Sequence, residues 1–148
     1  MSTKEQSEQG DLMRTVALAW LSTRRQAKKE LTDMESDLTH EQIICLLELQ
    51  RQDGLELGAL ANHIDRERTT ATRMIDGLEK RNLVVRVADR SDKRNRLVYL
   101  TKLGKKRIEE LEPVVRGFYS RILRDISQAQ VDVTLKTLRT IIANTEKE

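Results

Sequence analysis

Apolar residues recur every three or four positions through residues 11–34, a stretch that contains no Gly or Pro. Positions spaced in this way share one face of a helix, so the segment predicts a long amphipathic helix. Thr39 then precedes Gln42 by three residues, which is the spacing of a capping box. This pair predicts the start of a second, more deeply buried helix, which the apolar residues within 43–49 continue.

The middle of the chain predicts two helices joined by a tight turn. A short apolar pattern covers residues 57–63, and a second pattern covers about 67–81. Asn82 follows, and Asn tolerates the left-handed backbone conformation that often closes a helix. One face of the second helix is apolar, with the spacing i, i+3, i+4, i+7; its residues are Ala71, Met74, Ile75 and Leu78.

The pattern changes to short β-branched runs at 83–87 and 96–100, with a charged segment between them. Two such runs predict a β-hairpin. Thr101 is placed as the N-cap of the next helix, a long one that reaches Ile126 and bends at Pro113. A last helix covers about 131–142.

Helix, helix, helix and hairpin in this order predict a winged helix-turn-helix, in which the second helix of the turn enters the DNA major groove. The fold class is therefore mainly α with a small β-hairpin wing. We divide the chain into an N-terminal dimerisation helix (1–37), a winged DNA-binding domain (38–104) and C-terminal dimerisation helices (105–148).

The charge of the chain supports a polyanionic partner. The net charge of +3 is modest, but residues 55–107 contain 14 Lys and Arg against 7 Asp and Glu, and the rest is net acidic. A basic central module between acidic ends favours double-stranded DNA. On the polar face and first turn of the second helix, the candidate DNA contacts are Arg66, Arg68, Thr69, Thr70, Thr72 and Arg73.

The hairpin predicts a cationic wing that reaches the neighbouring minor groove or the phosphates. Asp89 and Asp92 are expected to fix the loop by pairing with arginines, although such surface pairs stabilise little. Arg86 belongs to the same cationic stretch. The candidate DNA contacts of the wing are Arg90, Lys93, Arg94 and Arg96.

These motifs together resemble the MarR family of bacterial transcription regulators. The resemblance implies a homodimer on a pseudo-palindromic operator, with Arg94 matching the wing arginine of the family. Asn82 departs from the Gly that is common in the family. The matching segments are Leu38-Thr39 with Gln42, Leu57 with Leu60-Ala61, Thr72 to Asp76, Leu78 to Arg86, Asp89 to Arg94, Val98 to Thr101, and Gly104.

The apolar stripes of the terminal helices independently favour a dimer, because one winged domain cannot cover both. A bundle formed within one chain is the alternative. The predicted interface residues are Leu12, Val16, Val115, Phe118, Ile122, Leu138 and Ile141.

Family resemblance also implies a small phenolic or other aromatic effector, bound between the dimerisation helices and the winged domain. The candidate pocket residues are Met13, Trp20, Met34, His40 and Ile44, for which ordinary packing is the alternative. His40 at a helix start is expected to be exposed, and Cys45 in an apolar helix to be buried and inert.

Three functional classes follow. The leading one is a cytoplasmic DNA-binding regulator, most often a repressor, without cofactor or metal. The second is a winged domain that binds protein instead of DNA, and the basic surface counts against it. The third is an enzyme, for which no catalytic or nucleotide-binding motif is present. No apolar run is long enough to span a membrane, and a single cysteine excludes an internal disulfide.

Overall fold

The computed structural model describes residues 2–34 and 36–146 and divides into two compact units, residues 1–113 and 114–148. Each unit is described by itself. The helices are α1 (Thr3–Asp33), α2 (His40–Arg51), α3 (Leu57–His63), α4 (Arg68–Lys80), α5 (Lys102–Ile122) and α6 (Gln128–Thr145). The strands are β1 (Leu55–Glu56), β2 (Val84–Ala88) and β3 (Arg96–Leu100). The winged helix-turn-helix class predicted from the sequence is confirmed.

The core of the first unit lies between α2, α3, α4 and the sheet. Leu46, Leu60, Ile75, Leu78 and Val98 are fully buried there. The three strands are antiparallel in the order β1-β3-β2, with Val84 opposite Leu100 and Ala88 opposite Arg96. Burial of these side chains drives formation of the module, since each buried Leu or Ile contributes about 1.5–3 kcal/mol.

Local signals in the sequence account for several boundaries. Thr39 and Gln42 form the predicted capping box at the start of α2. Asn82 has a φ of 58°, the left-handed conformation that was expected after α4. Thr101 Oγ1 accepts from the Gly104 amide at 2.9 Å, as an N-cap does. A side chain at Gly104 would place its Cβ 2.0 Å from the Leu83 carbonyl oxygen, so only glycine fits there.

Two predicted boundaries are wrong, and one strand is missing from the prediction. Helix α1 begins at Thr3 rather than near residue 11, because Ser2 and Glu5 form a capping box that extends the helix through a polar segment. Helix α5 ends at Ile122, and Asp125 with a φ of 63° places Ile126 in the connection to α6. Strand β1 was not predicted, because it has only two residues and takes its pairing from β3.

Candidate nucleic-acid interface

Helix α4 presents one buried and one solvent-exposed face. Its buried residues are Ala71, Ile75 and Leu78, and the polar opposite face includes the exposed Arg68, Thr69 and Arg73. Thr70 and Thr72 are half-buried, and the Thr72 hydroxyl donates to the Arg68 carbonyl at 2.8 Å. The apolar spacing therefore predicted the orientation of the helix correctly.

The N-terminus of α4 is open to an anion. Its N-cap residue, Glu67, makes no side-chain capping hydrogen bond. The first N–H groups of a helix have no partner inside the helix, and the helix dipole adds positive potential at that end. Arg68 and Thr69 lie in this first turn, so side-chain and backbone donors are close together there.

Arg66 faces inward rather than toward the outer surface of α4. Its guanidinium lies 3.6 Å from Glu41 of α2 and also donates to the Asp65 carbonyl at 2.8 Å. The side chain is only 21% exposed. This position in the turn before α4 makes it less available to DNA than the sequence analysis expected.

The wing is shaped by its two aspartates through the backbone rather than through arginine side chains. Asp89 Oδ1 accepts from the amide and the hydroxyl of Ser91, both at 2.9 Å, and these hydrogen bonds lower the pKa of Asp89. Asp92 Oδ1 accepts from the Arg94 amide at 3.0 Å. Within residues 2–34 and 36–146 neither aspartate forms an ion pair with an arginine, which corrects the predicted pairing.

The wing cations remain available. Arg90, Lys93, Arg94 and Arg96 are exposed, and no ion pair involves them, Arg68 or Arg73 in the described part of the chain. Arg94 and Arg96 line a cleft of about 250 Å³ together with Arg68 and Thr72 of α4. The structure thus brings one predicted cation of the helix, Arg68, and two of the wing, Arg94 and Arg96, to one cleft.

Arg86 lines the same cleft, but its charge is already paired. It donates from Nη2 to Asp76 Oδ1 and from Nη1 to Glu79 Oε2, both at 2.6 Å. The guanidinium of Arg86 is therefore paired, whereas those of Arg90, Arg94 and Arg96 form no ion pair in the described residues. The alternation of β2 carried a signal for this, since Val84 and Arg86 share the inward face while Val85 and Val87 point outward.

The predicted effector residues do not converge on one cleft. Met13, Trp20 and Met34 are about half exposed, and Ile44 packs against the core. Of the five residues, only His40 lines the cleft of about 380 Å³ between the end of α1 and the start of α2.

His40 is half-buried rather than exposed, and its Nδ1 is buried without a hydrogen-bond partner in the described structure. Burial lowers the pKa of His40; Glu41 opposes this shift, and Arg24 and Lys28 reinforce it. The cleft beside it is lined by Lys28, Leu31, Thr32, Ser36, Asp37, Leu38, Thr39, His40 and Glu41.

Cys45 is fully buried, and burial raises the pKa of its thiol to about 12. The thiolate is the reactive form, so this environment suppresses its chemistry. Within the described ranges no cluster of three His, Cys, Asp or Glu side chains is arranged to hold a metal ion. None of the described helices is long and apolar enough to cross a membrane.

The predicted dimer residues differ in exposure within one chain. Leu12 is 45% exposed and Ile122 37%, whereas Phe118 is only 8% exposed. Phe118 is thus already covered in the single chain and has little surface left for a partner. The remaining four, which are half-buried, are Val16, Val115, Leu138 and Ile141.

A helix-turn-helix beside a cationic hairpin defines a winged-helix protein with a basic face. The MarR family model matches residues 38–95, which is this module. The transcriptional activatory protein BadR of Rhodopseudomonas palustris is 34% identical over 96 residues, which cover 64% of this chain and 55% of BadR.

Solved structures extend the similarity to the flanking helices. A MarR-family transcriptional regulator from Silicibacter pomeroyi superposes with a TM-score of 0.80 at 28% identity, covering 97% of this chain and 96% of that one. BpsR of Bordetella bronchiseptica, whose DNA binding is regulated by 6-hydroxynicotinic acid, has a TM-score of 0.70 at 24% identity, covering 89% and 91%. The chain thus matches the MarR family model over its winged module and has the fold of MarR-family regulators along nearly its whole length.

Proposed function

We propose that this protein is a sequence-specific DNA-binding transcription regulator, with α4 in the major groove and the wing against the adjacent minor groove or phosphates. The observation that carries the proposal is a set of six exposed cations on α4 and the wing that form no ion pair in the described structure, three of which (Arg68, Arg94 and Arg96) line one cleft. Unpaired cations bind phosphates by releasing counterions, whereas paired ones contribute little. The six are Arg68, Arg73, Arg90, Lys93, Arg94 and Arg96.

Each group has a role in this proposal. Arg73 on the exposed face of α4 donates to a guanine edge, and Thr69 contacts a base or a phosphate. Phosphate oxygens bind at the open N-terminus of α4. Arg94 at the wing contacts the minor groove or its phosphates. Arg66 has at most a secondary role, because its side chain is only 21% exposed and faces Glu41.

The test is operator binding by fluorescence anisotropy, after selection of a site from random DNA. We expect Arg73→Ala and Arg94→Ala to weaken binding by about 1–3 kcal/mol each, and Arg73→Ala to relax preference at one base position. Lys136→Ala, an exposed cation of α6, is the matched control and should bind normally. Unchanged binding in both arginine variants, or no selected site, would favour a protein-binding winged domain.

The regulator acts, in this proposal, as a homodimer on a pseudo-palindromic operator. Support comes from apolar side chains that one chain leaves exposed, including Leu12, Trp20 and Leu21 on α1 and Leu135 and Ile142 on α6. Covering them with a second copy removes them from water, and two-fold symmetry presents two recognition helices about one DNA turn apart. Light scattering should give twice the chain mass, and Ile122→Glu should shift it toward one chain mass.

Repression is the proposed direction of regulation, although BadR is named as an activator. A promoter reporter decides between them. Deletion of the gene should raise expression from a promoter that overlaps the selected operator. A fall in expression instead would assign activation and leave the DNA-binding proposal intact.

An effector site is proposed in the cleft beside His40. The unpartnered, buried Nδ1 of His40 is the observation that supports it, since a buried polar atom costs free energy until it is hydrogen-bonded. Lys28 and the hydroxyl groups of Thr32, Ser36 and Thr39 line the same cleft. This polar and apolar mixture suits a small aromatic acid, in line with the effector of BpsR.

Titration of the DNA complex with hydroxylated aromatic acids, including 6-hydroxynicotinic acid, tests the effector proposal. One compound should release the operator from the wild type, and His40→Ala should need a higher concentration for release. Met13 does not line the cleft, so Met13→Ala is the control and should be released at the wild-type concentration. Equal sensitivity of all three proteins would remove the cleft from consideration.

A further inference from the structure

The Arg86 side chain makes three hydrogen bonds to α4. Nη2 donates to Asp76 Oδ1 at 2.6 Å and to the Thr72 carbonyl at 3.3 Å, and Nη1 donates to Glu79 Oε2 at 2.6 Å. The Arg86 amide also donates to Glu79 Oε1 at 3.2 Å. One strand residue therefore contacts three residues of α4.

We call the contacts of Arg86 with Asp76 and Glu79 the Arg86 bridge, and the geometry of a guanidinium group suits it. Its planar fork presents donors in fixed directions, and here its two terminal nitrogens reach carboxylates that are three residues apart on the helix. An ammonium group carries the same charge but lacks this fork. The Arg86 side chain is 21% exposed, so water screens these contacts less than it screens an ion pair at the open surface.

The bridge also changes the charge of the proposed DNA surface. Asp76 lines the cleft with Arg68 and Arg94, and its side chain is 47% exposed. An unpaired carboxylate there repels phosphate. Among the described ion pairs, Asp76 and Glu79 have Arg86 as their cationic partner. One guanidinium thus offsets one of these two negative charges, so less negative charge is left beside the cleft.

Arg86 lies in β2 just before the wing loop, so the bridge restrains the wing at its base. It lies three positions before Asp89, where the hydrogen-bonded loop of the wing begins. In the register of the hairpin, Arg86 lies opposite Val98 in the buried part of the sheet. The contact therefore fixes the base of the wing against α4 at the level of the cleft.

We propose that Arg86 is a positioning residue, which holds the wing at a set distance from α4 and offsets one of the two negative charges of Asp76 and Glu79, without contacting DNA itself. This inference rests on the proposed function for its consequence in DNA binding. The bridge itself exists in the free protein and can be tested there. Two other roles make different predictions: a direct phosphate contact, and a contribution to folding alone.

Two substitutions separate these roles. Arg86→Met removes the charge and keeps an apolar stem, and Arg86→Lys keeps the charge and loses the fork. Arg96→Lys is the matched control, because Arg96 lines the same cleft without an ion pair in the described residues. Arg94→Ala serves as the reference for loss of a direct phosphate contact.

Hydrogen exchange of the free protein is the first readout. Amides of residues 86–95 should exchange at least about threefold faster in both Arg86 variants, because local opening of the wing becomes easier. The control should exchange as the wild type does. Unchanged protection in both variants would overturn the bridge, whether or not the protein binds DNA.

Salt-dependent operator binding is the second readout. We expect Arg86→Lys and Arg86→Met to bind about tenfold more weakly, with the slope of log K against log salt no shallower than in the wild type. Loss of a phosphate contact lowers the slope by about 0.9 per contact, as expected for Arg94→Ala. A matching fall in slope for Arg86→Met, or full affinity of Arg86→Lys, would contradict the proposal.

Replacing the two carboxylates with amides tests separately whether the charge of Arg86 matters for DNA binding. Arg86→Met combined with Asp76→Asn and Glu79→Gln should recover part of the affinity that Arg86→Met loses, because the amides do not repel phosphate. Thermal unfolding of each variant checks folding, and Arg86→Lys carries the test if Arg86→Met does not fold. No recovery in a folded triple variant would refute charge neutralisation. Absence of DNA binding by the wild type would instead refute the proposed function.

Discussion

The winged module and the helices that flank it bury their apolar residues to very different extents. In the module, Leu46, Leu60 and Leu78 are fully buried within one chain. Helices α1 and α6 have no buried side chain among their described residues. Apolar residues of the module are thus buried within one chain, whereas those of α1 and α6 stay exposed or half-buried.

This difference indicates two sources of stability. The core of the module is complete, so its stability should not depend on protein concentration. The exposed faces of α1 and α6 gain their burial from a second copy in the proposed dimer, and that gain depends on concentration.

The largest effect is expected in the core of the module. Leu78→Ala removes a fully buried side chain of α4 and leaves a cavity. It should lower the free energy of unfolding by about 2–5 kcal/mol. Denaturant unfolding at two protein concentrations measures this loss, which should be the same at both. A loss below 1 kcal/mol would mean that the module is not the stable core described above.

A smaller effect is expected at the proposed interface. Ile122→Ala removes a side chain that is 37% exposed in one chain. Association should cover it, so the variant should lose about 1–2 kcal/mol per subunit. The melting temperature should then fall more steeply on dilution than in the wild type. Val133→Ala, at a site that is 66% exposed and outside the predicted interface, is the control. Equal dilution behaviour of all three proteins would argue against this interface.

A pH effect should appear at the junction of α1 and α2. Because burial lowers the pKa of His40, the unfolded chain takes up its proton before the folded chain does as pH falls. Stability is therefore fully present above the ordinary histidine pKa and declines as pH falls from there toward the lowered folded pKa. Unfolding curves of His40→Gln should show a smaller decline over this window than the wild type. An equal decline would assign it to other groups.

The smallest effect is expected at Cys45. Its thiol has a pKa of about 12 and is fully buried, so native protein should react with iodoacetamide far more slowly than unfolded protein. Mass spectrometry of the two samples measures the difference. Rapid modification of the native protein at neutral pH would show that the core around α2 opens.

The sequence predicted those features that depend on neighbours along the chain. The capping box at Thr39 and the left-handed Asn82 are set by local hydrogen bonds and backbone preference, and both are confirmed. The buried face of α4 followed from the spacing of Ala71, Ile75 and Leu78. Exposure of the wing cations followed from their place in a charged loop.

Features that depend on contacts between distant residues were not predicted. Arg66, in the turn before α4, forms an ion pair with Glu41 of α2. Arg86 of β2 forms ion pairs with Asp76 and Glu79 of α4. The sequence predicts both cations as surface charges, since it does not show which carboxylate faces them. The unpartnered nitrogen of His40 also depends on burial between α1 and α2, which a helix-start position does not reveal.

Hydroxyl-radical footprinting on the selected operator tests the central account most directly. We predict two protected blocks centred about 10 base pairs apart, each with an adjacent minor-groove block from the wing. Arg94→Ala should lose the minor-groove blocks and keep the two blocks that are centred about 10 base pairs apart. Lys136→Ala should give the same footprint as the wild type. A single protected block, or an Arg94→Ala footprint identical to that of the wild type, would contradict two symmetric helix-and-wing contacts.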